Sequence, residues 1–218
     1  MANKLSVWFC GLSIALACLP GCPPKPAVVA APPPAAPPPP PPPPAPPKCE
    51  ALSENCTASE GTKLGIGEQG ATIEPPSGWK FAKQSDRSVA VGPEGKSVLA
   101  AVEIPSGTEP AVLESLEKLT LATGIEKVKF DALKKRFKKP QITVDANGTP
   151  VDLWEVSKST SNGANPELRE TGIGTLLVFV AHLAPDRVII GLGFVVVPEA
   201  EADAEKVMHA VQTLKGKP

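Results

Sequence analysis

From Pro32 to Pro47, thirteen of sixteen residues are proline and the other three are alanine. Each proline holds φ at about −65° and supplies no N–H, so neither a helix nor a strand ladder can run through the segment and extended polyproline II is the conformation left. Of the 28 prolines in the chain, 16 lie between Pro23 and Pro47, a stretch whose only charge is Lys25. No core can form there. At about 3.1 Å per residue this stretch reaches on the order of 75 Å, and it is stiffer than a Gly/Ser chain of equal length. Residues 22–47 are therefore expected to be a disordered, polyproline-rich spacer. PxxP, the pattern taken by SH3-like and WW-like grooves, occurs in any such run, but no flanking Arg or aromatic residue adds specificity here.

The residues before the spacer read as an export address. Lys4 is followed by an apolar run from Val7 to Leu19, 13 residues interrupted only by Gly11 and Ser13. A span of the bilayer needs roughly 20 apolar residues, so the run fits the core of a signal peptide better than a transmembrane helix. It ends in Leu19-Pro20-Gly21-Cys22, which resembles the lipobox of bacterial lipoproteins, with Pro20 departing from the usual middle residue. The resemblance implies cleavage after residue 21 and lipidation of Cys22. Two alternatives remain open: the register Ala15-Leu16-Ala17-Cys18, and an ordinary signal peptidase site with Cys22 as a bystander.

Cysteine arithmetic bears on this choice. The five cysteines are Cys10, Cys18, Cys22, Cys49 and Cys56. With Cys22 lipidated and Cys10 and Cys18 removed, only Cys49 and Cys56 remain, and in an oxidising compartment they are expected to pair. Anchoring at Cys18 would leave an odd thiol. The implied partner is a membrane, reached through the N-terminal lipid. Pro23 is not the Asp that, by resemblance to enterobacterial lipoproteins, signals inner-membrane retention, so the outer membrane is the expected location.

Beyond the spacer about 170 residues remain, enough for one domain with a substantial core. From Lys48 onward there are 20 basic and 23 acidic residues, a net charge of −3 with His neutral. Such a balance carries no electrostatic footprint for nucleic acid. Residues 48–71 are small and polar and read as a glycine-rich collar loop. Within them Gly65 to Gly70 spell GxGxxG, but the motif follows no buried strand and opens no helix, so a phosphate cradle is not expected.

Residues 72–218 carry regular patterns. Gly78–Ala82, Ser88–Val91 and Ser97–Ile104 read as strands, with a turn at Gly92-Pro93-Glu94-Gly95. Thr108 before Glu109-Pro110 starts a helix that Gly124 stops, with Val112, Leu116 and Leu119 on one face. Residues 126–139 fit both periods and are read as a short helix. Asn147-Gly148 joins two strands as a hairpin. Two apolar runs, Gly174–Leu183 and Val188–Val197, read as central strands covered on both faces. Pro198 opens a last helix with Ala204, Val207, Val211 and Leu214 buried.

The expected fold is α+β: an antiparallel sheet of about six to seven strands flanked by helices, an α/β/α sandwich. This element order, entered through Pro75-Pro76-Ser77-Gly78-Trp79, resembles the PsbP/Mog1-like family. The resemblance implies non-enzymatic roles in assembling or stabilising other proteins and supplies no catalytic residues to carry over.

The chain offers little recognisable chemistry. His182 and His209 stand in no ligand spacing, no GxSxG elbow occurs, and no catalytic residue, metal ligand or cofactor is expected. Trp79 and Trp154 are expected in the core. The dense charge feature is Lys127, Lys129, Lys134, Lys135, Arg136, Lys138 and Lys139, seven cations in thirteen residues opposed only by Asp131. It is a solvated amphipathic element or a contact patch for anionic headgroups or an acidic protein. The sequence thus points to a cell-envelope lipoprotein displaying a binding or assembly module to an unnamed envelope protein. The alternative is a periplasmic hydrolase or ligand-processing domain whose site comes from residues distant in sequence.

Overall fold

The computed structural model describes residues 48–126, 130–161, 172–196 and 200–216. The chain divides into two units, Met1–Pro44 and Ala45–Pro218, and every described residue belongs to the second. The expected signal segment, Cys22 and the proline spacer lie outside the described residues.

The second unit is α+β. Its main sheet contains β3 (Lys80–Lys83), β4 (Ser88–Val91), β5 (Ser97–Ile104), β6 (Ile125–Glu126), β7 (Ile142–Ala146), β8 (Thr149–Ser161), β9 (Gly172–Ala184) and β10 (Arg187–Val196). Their lateral order is β3-β4-β5-β10-β9-β8, and every pairing is antiparallel. The outer side of β8 is shared, because β7 pairs with residues 149–153 and β6 with Thr160 and Ser161. Eight strands therefore fill seven positions.

The two long apolar runs lie at the centre, β10 between β5 and β9. Their unbroken Val, Ile and Leu follow from burial on both faces. One face is covered by α1 (Glu109–Ala122) and α2 (Phe130–Arg136), through Val112, Leu116, Leu119 and Leu133. The other is covered by α3 (Ala200–Gln212), through Val207, Ala210 and Val211, and by Leu214 just beyond it. Fully burying each of these Val and Leu side chains contributes roughly 1.5–3 kcal/mol. Pro198, read as the start of this last helix, is not among the described residues.

Local chemistry explains the turns. Asn147 and Gly148 have φ of 53° and 83°, the left-handed pair that a two-residue hairpin needs. Asn147 also donates from Nδ2 to the Gln212 and Leu214 carbonyls, so this hairpin is latched to the end of α3.

Two readings need correction. Residues 126–139 do not form one helix, because Glu126 pairs with Thr160 in β6 and the helix begins at Phe130. Gly124, at φ 69°, turns the chain out of α1 and sends Ile125 into the core as a strand residue. The collar is also not simply a loop. Leu64–Ile66 (β1) and Ala71–Ile73 (β2) pair as a hairpin, and Leu64, Ile66, Ala71 and Ile73 are buried with Trp79 beside the α3 side of the sheet. Each strand is three residues long, in a stretch that also holds Gly61, Gly65, Gly67 and Gly70, and is too short for its alternation to stand out.

Candidate functional site

Cys49 and Cys56 are bonded, with Cα atoms 5.7 Å apart. Their loop lies along the outer side of β3. The Lys83 amide donates to the Cys49 carbonyl at 2.7 Å, the Ala58 amide to the Trp79 carbonyl at 2.8 Å, and Thr57 forms a bridge with Lys80. Lys80 and Glu54 add an ion pair. Cys56 itself is buried. The loop therefore covers one edge of the sheet.

The basic element lies at the opposite edge. Lys134, Lys135 and Arg136 are exposed on α2, and Lys138 and Lys139 are exposed in the turn that leads to β7. Lys127 and Lys129 lie outside the described residues. Three contacts hold this element against the sheet while its cations face water. Leu133 is buried, Trp154 Nε1 donates to the Arg136 carbonyl at 3.2 Å, and Phe137 stacks on Trp154 with ring centroids 5.1 Å apart. The apolar side of the segment is thus consumed by packing and the charged side is presented.

Next to it the surface is hollowed on both faces of the sheet. A groove of about 270 Å³ on the α3 side is lined mainly by Ile142, Leu153, Leu177, Val195, Val207 and Met208. A second hollow of about 270 Å³ lies between Leu133, Arg136 and Val156. The two share Gln141, Trp154 and Glu155, so they meet at the edge of β8. There the Gln141 side-chain oxygen accepts the Glu155 amide, and the Gln141 amide donates to the Leu153 carbonyl at 3.0 Å.

The structure also assembles a charged cleft of about 690 Å³ that the sequence reading missed. Four separate turns and strand ends contribute to it: Gly67 and Glu68, Lys83 to Arg87, Glu103, and Asp186 with Arg187. Arg187 Nε donates to Glu103 Oε1 at 2.5 Å, with the two side chains 17% and 8% exposed. Glu103 Oε2 is buried and has no hydrogen-bond partner among the described residues. A buried ion pair is a weak contributor to stability, because desolvation offsets much of its Coulomb gain. At Gly67, φ is 60° and a Cβ would lie 2.7 Å from that of Glu103, so only glycine lets this turn close over the carboxylate.

Arg87 Nη1 donates to Asp86 at 2.9 Å, and Ser88 Oγ donates to the Gly65 carbonyl at 2.5 Å. The cleft thus presents paired charges, with one Glu103 carboxylate oxygen and the Ser88 hydroxyl already engaged. The one signal for it in the sequence is Glu103, an acid near the end of the apolar run Ser97–Ile104. His182 is exposed and its Nε2 lies 3.1 Å from Asp152 Oδ2, whereas His209 is exposed on α3. Among the described residues no three His, Cys, Asp or Glu side chains converge as a metal site, and no helix is long and apolar enough to cross a membrane. No family model matches the chain, and no curated protein matches it.

Proposed function

We propose that this protein is a cell-envelope lipoprotein, anchored through Cys22 in the outer membrane, that presents a non-enzymatic binding or assembly module on a stiff proline spacer. The observation that carries the reading is the outward-facing set Lys134, Lys135, Arg136, Lys138 and Lys139, packed against the sheet through Leu133, Phe137 and Trp154 beside two grooves. Its partner is an anionic component of the envelope. The layered antiparallel sheet with helices on both faces supports a PsbP/Mog1-like module.

Capture from envelope extracts tests this. Full-length protein should retain an envelope component, and joint Lys134→Glu, Lys135→Glu, Lys138→Glu and Lys139→Glu substitution should lose it. Unchanged capture would refute the role of the patch. Fatty-acid labelling that persists in Cys22→Ala would refute the anchor.

A second reading, a ligand-processing domain, is favoured by the Arg187–Glu103 pair under the Gly67 turn. It requires a small charged compound that raises the melting temperature of the protein and fails to do so for Glu103→Gln.

A further inference from the structure

An antiparallel hairpin closed by a two-residue turn alternates bonded and non-bonded pairs away from the turn. Ala146 and Thr149 close the hairpin, so Val144 pairs with Val151 through hydrogen bonds while Thr143 and Asp145 stand at non-bonded positions. Pro150, opposite Asp145, fits that assignment because it has no N–H to give. The amide and carbonyl groups of Thr143 and Asp145 therefore point away from β8. Among the described residues no strand pairs with that side of β7.

This open edge is short and flanked by charge, but it also exposes an apolar side chain. Ile142 is 56% exposed and stands on the α3 side at the mouth of the groove floored by Leu153 and Leu177. A strand with an unpaired edge and an apolar face is a template for another strand. The occupant is further specified by charge. The five described cations from Lys134 to Lys139 precede β7 in the chain, and so lie toward its Ile142 end. A segment pairing antiparallel to β7 brings its own C-terminal end to them.

Resting on the reading that the basic element is a contact surface, we infer that β7 receives an extended segment of an acidic partner as an added antiparallel strand. Its alternate apolar side chains cover Ile142 and Val144, and acidic residues at its C-terminal end face Lys138 and Lys139. Main-chain bonds to Thr143 and Asp145 give the affinity, and the cations give the direction. A second copy of this chain fits less well, because its own β7 carries one acid, Asp145, against this cluster.

The probe is a fluorescent peptide of alternating Thr and Val followed by a short Glu run, titrated into the full-length protein. Saturable binding is expected, with the Thr143 and Asp145 amides gaining hydrogen-exchange protection. Thr143→Pro removes one outward amide and no main-chain hairpin bond, and should weaken binding about tenfold, as should Lys138→Glu with Lys139→Glu, whereas Thr143→Val, which loses the same hydroxyl bond to Asp152 but keeps the amide, should bind as the wild type does. Added salt should weaken binding by the wild type more than by the charge-reversed pair. No protection at Thr143 and Asp145 in the wild type would overturn the inference, independently of how the variants fold. So would a peptide-sensitive dimer in sedimentation, which would make a second copy the occupant. If charge reversal abolishes envelope capture while Thr143→Pro does not, the edge inference fails and the contact-module reading stands. If neither variant affects capture, both fail.

Discussion

The two edges of the sheet are treated differently. At β3 the outer side is occupied by the disulfide loop and the residues just after it, the Lys83 amide donating to the Cys49 carbonyl and the Ala58 amide to the Trp79 carbonyl. At β7 no described strand takes the outer side, and Ile142 is left exposed beside five cations. Since unpaired edges invite pairing with other chains, most are covered, shortened or charged. Here one edge is closed by a covalently tied loop, and the other is short and flanked by charge without being closed. Each edge is also backed by one buried tryptophan, Trp79 and Trp154.

The largest effect is expected at Trp154. Trp154→Ala removes the ring that stacks on Phe137 and bonds the Arg136 carbonyl, and should lower stability by about 3–5 kcal/mol in denaturant unfolding. It should also make the Lys134–Lys139 segment protease-sensitive while the β3 edge keeps its exchange protection. Equal loss of protection at both edges would show that the two are one cooperative unit.

Next in size is the disulfide. Cys49→Ser with Cys56→Ser should cost roughly 2.5 kcal/mol by the chain-entropy estimate for so short a loop. Because the loop bonds to β3, exchange should quicken at the Ala58 and Lys83 amides, and the freed edge should promote self-association. A slight change confined to residues before β1 would make the loop an appendage.

A smaller effect separates the tryptophans. Trp79 Nε1 has no hydrogen-bond partner among the described residues, whereas Trp154 Nε1 has the Arg136 carbonyl. Trp154→Phe should therefore cost about 1 kcal/mol more than Trp79→Phe. Equal melting temperatures would mean that the Arg136 bond contributes nothing net.

The smallest effect is expected for Ile142→Lys. An exposed edge position should change stability by less than about 0.5 kcal/mol. It should nonetheless reduce binding of an added strand, since a charge at the groove mouth works against apolar pairing. A large stability loss would show that Ile142 is covered in solution.

Much of this architecture was legible from local patterns. Asn147-Gly148 specifies its hairpin because few residues accept two successive left-handed conformations. The runs in β9 and β10 specify central strands because nothing polar interrupts Leu176 to Ala181 or Val188 to Val196. The β1–β2 hairpin was not legible, since Leu64, Ile66, Ala71 and Ile73 gain their meaning from Trp79 and the sheet beneath. The 126–139 segment was ambiguous for a related reason, as Glu126 becomes a strand residue only through Thr160.

The candidate sites divide in the same way. The cation cluster is contiguous in sequence and needed no fold to be seen. The charged cleft is drawn from four turns and strand ends, with Glu103 and Arg187 separated by 84 residues, and only the return of β10 beside β5 brings them together. Residues near one another along the chain fix proline-imposed extension, turn conformation, the face each helix buries and the sign of local charge. Tertiary structure alone decided which edge is closed and which is open. That outcome depends on main-chain hydrogen-bonding groups that all residues but proline carry alike, and their partners are chosen by distant segments.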